Sequence, residues 1–219
     1  MAAQGIRQGD PCRAAESALN AVPEETLFFA SENLRIEGML ERGSDTKGVV
    51  ISHPHPLYGG DMDNPVVLAV RDAYRRKGFS TLRFNFRGTG GSAGRHDKGI
   101  GERRDVHAAR ACLAGMGMTD IDVAGYSFGA WVNAGVSENF QRTVMVSPPL
   151  AFIDFGPPAP IPSLHLIVTG ERDEIAPPAM IDRARARWNP SAAFEVIPGA
   201  DHFYSGFLKT LEDAIAAHL

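Results

Sequence analysis

Short apolar runs alternate with amphipathic stretches along the chain from residue 24 onward. Runs of β-type or continuous apolar composition predict strands, and apolar residues at helical spacing predict helices. The predicted strands are residues 26–30, 34–40, 47–52, 79–86, a run from Ile121 to the residue before Ser127, 143–146, 164–169 and 193–197. The predicted helices are residues 66–77, 102–114, a helix that opens after Ser127, 178–188 and 203–218.

This alternation predicts an α/β fold, with a mostly parallel sheet covered by helices on both faces. The first two strands, 26–30 and 34–40, are expected to form an antiparallel pair. In such sheets ligands bind beyond the carboxyl ends of the strands. We assign residues 24–219 to one domain, and residues 1–23 to an N-terminal extension that we expect to be a disordered tail without assigned function.

A serine-centred turn stands between a predicted strand and a predicted helix, where residues 125–129 read Gly-Tyr-Ser-Phe-Gly. A nucleophilic serine in such a turn needs residues without bulk two positions before and after it, and both are glycine. Residues 90–94, Gly-Gly-Ser-Ala-Gly, match the same spacing. Polar residues and no helix follow that second match. The context therefore favours Ser127 over Ser92 as a nucleophile.

A serine hydroxyl needs a general base, and the base needs a partner that fixes its tautomer. For a strand–turn–helix serine the expected chain order is serine, acid, histidine. Of the histidines that follow Ser127, His165 lies inside a predicted strand and His218 lies on the last predicted helix. His202, in the loop after the last strand, is the remaining candidate for the base.

The acid is expected after the strand that precedes this loop, where residues 170–177 offer three carboxylates. Asp173 is the candidate, because a short side chain in the turn can point at the imidazole. Glu174 is the alternative. Glu171 and Glu174 are expected to face water or to cap the next helix.

Acyl transfer also needs two N–H donors for the oxyanion. One is expected from Phe128, the residue after the nucleophile, and the other from the loop at residues 53–60, His-Pro-His-Pro-Leu-Tyr-Gly-Gly. Its two prolines have no N–H, so His55 is the leading donor and Leu57 the second choice. His53 and His55 alone make a weak metal site without a third ligand, and we expect no metal.

Several segments together resemble the α/β-hydrolase superfamily: residues 125–129, the Gly-Glu-Arg-Asp turn at 170–173 and the Gly-Ala-Asp-His loop at 199–202. Residues 51–60 and 83–92 are similar to those of its small, lidless bacterial serine hydrolases with an HPHP loop, which are dienelactone hydrolase-like or esterase-like. The resemblance runs from about residue 24 to the C-terminus. It implies the eight-stranded α/β-hydrolase fold and a catalytic triad of Ser127, Asp173 and His202.

One departure from this pattern and two rival sequence signals remain to be interpreted. Asn85 stands where many members of the superfamily carry an aspartate that is not catalytic there. Residues 88–93 satisfy a relaxed dinucleotide-binding fingerprint, but no helix opens immediately behind them, so we predict a structural turn and no cofactor. The acidic and basic residues at 102–105 are expected to form a solvated first helical turn.

Composition excludes several other classes. The apolar fraction of 44% is that of an ordinary soluble globule, and a net charge of −4 gives no electrostatic case for nucleic acid or an acidic membrane surface. Cys12 and Cys112 are too few for a disulfide framework. Residues 1–22 hold no apolar run typical of a signal peptide, and no stretch approaches a membrane span. We expect a cytoplasmic protein; its oligomeric state is not defined by the sequence.

The prediction is a serine hydrolase that forms an acyl-enzyme on Ser127. The segment between the strands ending at 146 and starting at 164 is too short for a helical cap, so an open site is expected. The apolar residues that could form a wall near the serine are Pro148, Pro149, Leu150, Phe152, Phe155, Tyr58 and Phe128. Tyr58, Leu57 and Phe152 are the predicted substrate-binding residues. A carboxylic ester or thioester of a small to medium acyl group suits this site; the alternatives are a small-peptide serine peptidase and a non-catalytic binding protein.

Overall fold

The computed structural model describes residues 23–156 and 159–219. Almost all of the predicted N-terminal extension, residues 1–22, lies outside them. The strands are β1 (Glu25–Ser31), β2 (Leu34–Glu41), β3 (Lys47–Ser52), β4 (Ser80–Phe84), β5 (Asp120–Tyr126), β6 (Thr143–Val146), β7 (Leu164–Gly170) and β8 (Ala193–Ile197). The α-helices are α1 (Pro65–Arg76), α2 (Ile100–Gly115), α3 (Phe128–Ala134), α4 (Pro178–Trp188) and α5 (Leu208–Ala217), with short 3₁₀ turns at Pro56–Tyr58 and Ser137–Asn139.

All eight strands form one sheet in the order β1-β2-β4-β3-β5-β6-β7-β8. β2 pairs antiparallel with both of its neighbours, and every other pairing is parallel. The predictions of a mostly parallel sheet and of an antiparallel pair formed by the first two strands are therefore confirmed, and the pair lies at one edge of the sheet. The carboxyl ends of β3, β5, β6 and β7 meet at one rim of the sheet, which is where the candidate chemistry lies.

Helices cover both faces of the sheet, because its central strands are apolar on both sides. In β5, Ile121 and Val123 belong to one apolar cluster and Ala124 and Tyr126 to another. The cluster with Tyr126 packs against α1 and α5, and the cluster with Val123 packs against α2 and α3. A third cluster places α4 against β6 and β7.

The last helix is shorter than predicted. It begins at Leu208, whereas the sequence pattern predicted a start at Phe203. Tyr204 and Gly206 have positive φ angles of 54° and 79°, which are incompatible with a right-handed helix. Phe203 therefore lies in a turn, and its side chain is 65% exposed.

The prediction of a solvated first turn in α2 is wrong for two of its four residues. Glu102 and Asp105 are fully buried. Glu102 accepts hydrogen bonds from the N–H groups of Asp97 and Gly99, both at 2.8 Å, and Asp105 pairs with Arg87 at 2.8 Å. The glycine-rich loop before α2 carries buried donors, and these two carboxylates satisfy them.

Within the described part of the segment after β6, no helix or strand covers the carboxyl rim. The described residues of this segment, 147–156 and 159–163, contain turns and bends only. No cap domain is present there, as the sequence predicted. Among the described residues, none of the helices combines the length and apolar character needed to cross a membrane.

Candidate active site

Ser127 sits in a sharp turn between β5 and α3. Its backbone has φ 53° and ψ −116°, a conformation that is strained for any residue with a side chain. The flanking glycines make the turn possible: a Cβ on Gly129 would overlap the Ser52 carbonyl oxygen, and a Cβ on Gly125 would lie 2.6 Å from the Gly129 carbonyl carbon. The turn directs the Ser127 hydroxyl away from the sheet and toward the loop after β8.

His202 and Asp173 reach the same point from two other loops. His202 Nε2 lies 3.0 Å from Ser127 Oγ, and His202 Nδ1 lies 2.9 Å from Asp173 Oδ2. All three side chains are buried. Because Nδ1 faces a carboxylate, it carries the proton, and the lone pair of Nε2 is free to accept from the serine hydroxyl.

The turn after β7 holds Asp173 as an acceptor. Its Oδ1 accepts hydrogen bonds from the N–H groups of Ile175 and Ala176, at 2.9 and 2.7 Å. Burial disfavours the charged form of Asp173, but the hydrogen bonds and charge of His202 outweigh it and lower the carboxyl pKa. The group is ionised at neutral pH, as an orienting acid requires.

The two neighbouring glutamates do not contact His202. Glu174 is exposed, as expected for a solvated residue. Glu171 is exposed too, but it neither caps α4 nor stays free: its Oε2 accepts from the Gly199 N–H at 2.8 Å and ties the acid turn to the loop that carries His202.

Further polar contacts behind these residues were missed by sequence reasoning. The Tyr126 hydroxyl donates to the His202 carbonyl at 2.8 Å, and the hydroxyls of Ser147 and Tyr204 lie 2.8 Å apart. Burial raises the pKa of Tyr126, so its hydroxyl stays protonated as a donor. The sequence carries one indication of this contact. Tyr126 lies directly before Ser127 in a buried strand, and a buried tyrosine needs a hydrogen-bond partner for its hydroxyl.

Two backbone N–H groups beside Ser127 lack protein acceptors. Among residues 23–156 and 159–219, the N–H groups of Phe128 and His55 donate to no protein atom. Leu57, the second choice from the sequence, is used: its N–H donates to His55 Nδ1 at 3.2 Å. The geometry thus leaves the two N–H groups that the sequence ranked first available to a ligand.

A cavity of about 350 Å³ lies over Ser127. Its lining combines side chains from several loops: Pro54, His55, Tyr58, Gly59, Gly60, Asn64, Tyr126, Ser127, Phe128, Pro149, Phe152, Ile153, Ile175, His202 and Phe203. Tyr58 and Phe152 face each other across its mouth, with ring centroids 6.1 Å apart, and are 74% and 65% exposed. Phe203 was missed because the pattern placed it in a helix, although its position next to His202 puts it at the same mouth.

Some predicted wall residues lie elsewhere. Leu57, one of the predicted substrate-binding residues, lines a neighbouring groove on the other side of the 56–60 turn and not the cavity over Ser127. Leu150 and Phe155 pack against the apolar cluster around α4, and Pro148 does not line the cavity. The wall near Ser127 comes instead from Pro149, Phe152 and the loop at 54–60.

The remaining candidates have structural partners. His165 Nε2 lies 2.7 Å from the His218 carbonyl oxygen at the amino end of β7, where both residues are partly buried. Residues 88–93 form turns, and α2 begins only at Ile100. In the part of the chain that the structure describes, no three His, Cys, Asp or Glu side chains are arranged to hold a metal ion.

Comparisons with known proteins identify relatives that share this fold. No protein-family profile matches the chain. An uncharacterized protein of Rickettsia prowazekii is 31% identical over 208 residues, which cover 88% of this chain and 87% of that protein. The structure of an α/β serine hydrolase homologue from Coxiella burnetii is 34% identical, with a TM-score of 0.81, over 89% of this chain and 97% of the other. An α/β serine hydrolase without lid from Xanthomonas campestris is 27% identical, with a TM-score of 0.81, over 89% and 93%.

Proposed function

The chain belongs to the α/β-hydrolase superfamily, and we propose that it is a serine esterase that cleaves carboxylic esters or thioesters of small to medium acyl groups. One observation carries the proposal: Asp173, His202 and Ser127 form a single hydrogen-bonded series, with contacts of 2.9 and 3.0 Å. A serine in this setting is a nucleophile, because the imidazole accepts its proton while the bond to carbon forms.

In the proposed reaction, Ser127 Oγ attacks the ester carbonyl carbon as His202 Nε2 takes the hydroxyl proton. His202 then donates that proton to the departing alkoxide or thiolate, and the acyl group stays on Ser127. Water, deprotonated by the same imidazole, attacks the acyl-enzyme; the acid leaves, and Ser127 regains its proton. Asp173 keeps a proton on His202 Nδ1 throughout and stabilises the imidazolium.

We assign the oxyanion hole to the N–H groups of Phe128 and His55. Support comes from their lack of protein acceptors within the described residues and from their places, one directly after the nucleophile and one in the loop after β3. These donors would stabilise the negative charge that forms on the carbonyl oxygen in both tetrahedral intermediates.

The cavity supports an uncharged acyl substrate. Its described lining contains no Asp, Glu, Lys or Arg side chain, and aromatic rings of Tyr58, Phe128, Phe152 and Phe203 make up much of it. A volume of about 350 Å³ suits a small to medium acyl group rather than a bulky one. Tyr58 and Phe152 are the proposed substrate contacts at the mouth.

A fluorophosphonate probe tests the assignment of the nucleophile, because it labels only activated serines. We expect labelling of the wild type and of Ser92→Ala, and none of Ser127→Ala. The Ser92→Ala variant is the matched control, since it removes a serine at the same spacing. Unchanged labelling of Ser127→Ala, or loss of labelling in Ser92→Ala, would refute the assignment.

Hydrolysis rates separate the substrate classes. We expect faster turnover of p-nitrophenyl butyrate and of a butyryl thioester than of aminoacyl p-nitroanilides. Faster anilide cleavage would favour a small-peptide peptidase. A labelled serine without hydrolysis of any of these substrates would favour a binding protein on the hydrolase fold.

A further inference from the structure

A buried histidine outside the catalytic series holds the loop that carries one proposed oxyanion donor. The His53 side chain is fully buried at the carboxyl end of β3. Its Nδ1 lies 2.6 Å from the Pro54 carbonyl oxygen, and its Nε2 lies 3.0 Å from the backbone nitrogen of Phe86. The ring also packs against the Phe86 ring, with centroids 4.7 Å apart.

These two contacts define the tautomer of His53. A backbone N–H can only donate, so Nε2 must be the unprotonated acceptor from Phe86. The proton of the neutral ring then lies on Nδ1 and is donated to the Pro54 carbonyl oxygen. Burial lowers the pKa of His53 to about 4, so the ring stays neutral and keeps this arrangement near neutral pH.

The accepting carbonyl belongs to the same peptide group as the His55 N–H. In a trans peptide the C=O and the N–H of one unit point in opposite directions in one plane. The chain has no cis peptide among its described residues. A hydrogen bond that fixes the Pro54 C=O therefore also fixes the direction of the His55 N–H, which has no protein acceptor of its own within those residues.

Packing also restricts this loop. A Cβ on Gly60 would overlap the Pro54 carbonyl oxygen, so the loop closes tightly on itself, and the Gly60 N–H donates to the His55 carbonyl at 3.1 Å. Neither contact is a hydrogen bond to the peptide group between residues 54 and 55. The His53 ring is the one side chain in the described structure that hydrogen-bonds to this peptide.

We propose that His53 is a positioning residue for catalysis: through its Nδ1–H bond to the Pro54 carbonyl, it orients the His55 N–H toward the oxyanion. This inference rests on the proposed esterase function and assigns no role in proton transfer to His53. Its effect is confined to the tetrahedral intermediates and the transition states that resemble them, because the negative charge on the carbonyl oxygen develops only there.

Two variants of His53 separate this role from packing. His53→Phe keeps a ring of similar shape but has no donor or acceptor, whereas His53→Gln keeps both a donor N–H and an acceptor oxygen. His165→Phe is the matched control, since it removes another imidazole that contacts a backbone carbonyl, 2.7 Å away, but outside the site. Butylboronic acid, which forms a tetrahedral adduct on the serine, probes the transition state, and butyramide probes ground-state binding.

For His53→Phe we expect kcat on p-nitrophenyl butyrate to fall about 10- to 100-fold, somewhat less than for deletion of an oxyanion donor, with KM within about twofold. Affinity for butylboronic acid should fall by a similar factor and affinity for butyramide should not change. His53→Gln should recover kcat to within about fivefold of the wild type, and His165→Phe should be unaffected. Three results would each overturn the proposal. The first is a folded His53→Phe with wild-type kcat, and the second is an equal loss of affinity for butylboronic acid and for butyramide. The third is a folded His53→Gln as impaired in kcat as His53→Phe.

The tautomer can be measured without changing the wild-type protein, so a variant that fails to fold does not stop the test. In ¹³C,¹⁵N-labelled wild-type protein, sequential assignment and through-space contacts to the Phe86 ring, whose centroid lies 4.7 Å away, identify the His53 imidazole. We expect a neutral ring protonated on Nδ1 that titrates near pH 4. A neutral ring protonated on Nε2 would overturn the proposal. Failure of the esterase assignment itself is seen separately, as absence of wild-type hydrolysis and probe labelling.

Discussion

Two serines of this chain stand in the same Gly-x-Ser-x-Gly spacing, and only Ser127 has the nitrogen of an imidazole as its hydrogen-bond partner. They are almost equally exposed, Ser127 at 9% and Ser92 at 8%. Ser127 Oγ faces the unprotonated Nε2 of His202 at 3.0 Å. Ser92 Oγ donates to the Asn85 carbonyl at 2.6 Å and accepts from the Glu37 N–H at 2.9 Å.

The difference lies in the partners of the hydroxyl. Ser92 joins the end of β4 to β2, and both its donor and its acceptor capacity are used by the backbone. Ser127 has a base as its partner because β5 ends and α3 begins at that residue, which lifts the hydroxyl above the sheet. The spacing of the glycines allows a tight turn. The secondary-structure elements on either side of the turn determine which groups the serine hydroxyl contacts.

Alanine substitution of each serine gives the largest expected effect: one variant should lose activity and the other should lose stability. Ser127→Ala should lower kcat/KM for p-nitrophenyl butyrate by about five to six orders of magnitude, because the proposed nucleophile is lost. Ser92→Ala should leave kcat/KM within about threefold and lower the free energy of unfolding by about 1–3 kcal/mol, since a buried N–H and carbonyl lose their partner. Ester kinetics and urea unfolding measure both; the opposite pattern would reverse our assignment of the two serines.

The acid of the series provides the next test. Asp173→Asn should lower kcat by about 10⁴-fold, because the amide favours the wrong imidazole tautomer while keeping the shape of the carboxylate. Glu174→Gln, one residue away and exposed, serves as the control and should retain wild-type turnover. A near-normal rate for Asp173→Asn together with a large loss for Glu174→Gln would transfer the role to Glu174.

The pH dependence of the free energy of unfolding distinguishes the surroundings of the two serines, because a buried histidine lies beside the Ser127 turn. Folding lowers the pKa of His53, beside the Ser127 turn, from 6.5 to about 4, so the unfolded chain binds a proton there that the folded chain does not. This contribution to stability is complete above pH 6.5 and is lost as pH falls toward 4, in total about 3 kcal/mol.

Urea unfolding at pH 7, 5.5 and 4.5 measures this loss. His53→Gln should show a shallower decline of the unfolding free energy across these values than the wild type. Ser92→Ala, which leaves His53 intact, should decline as steeply as the wild type. Equal slopes for all three proteins would show that His53 does not titrate as described.

The smallest effect concerns the surroundings of Ser92. The Asn85 amide accepts from the Met62 N–H at 2.9 Å and donates to Glu37 Oε2 at 2.7 Å. Asn85→Asp would place two carboxylates together and should lower the free energy of unfolding by about 1–2 kcal/mol. Glu37→Gln in the same chain should restore most of that loss, a coupling that a double-mutant cycle measures. Additive effects would show that this pair does not interact.

Much of the fold follows from local pattern. The apolar runs of β3, β5 and β7 and the helices between them are visible in the sequence, because residues buried on both faces leave few polar positions. The order of serine, acid and histidine along the chain then selected the three residues that the structure brings within hydrogen-bond distance.

The rest depended on contacts between distant segments. Burial of Glu102 and Asp105 could not be read from a charged helical turn, because their partners, Arg87 and the N–H groups at 97 and 99, lie in an irregular loop. The start of α5 depended on left-handed backbone at Tyr204, a residue that rarely adopts it. His53 was assessed only as a metal ligand, since its contact with Phe86 joins residues far apart in the sequence.

The uncovered rim after β6 has a further consequence. Since the described residues 147–156 and 159–163 form no helix over Ser127, an acyl group held there would remain in contact with bulk solvent. Methanol or another small alcohol in the medium would then compete with water for that group, and the protein would make new esters by transesterification in proportion to alcohol concentration. No helix in the described part of this segment would have to move before the product leaves.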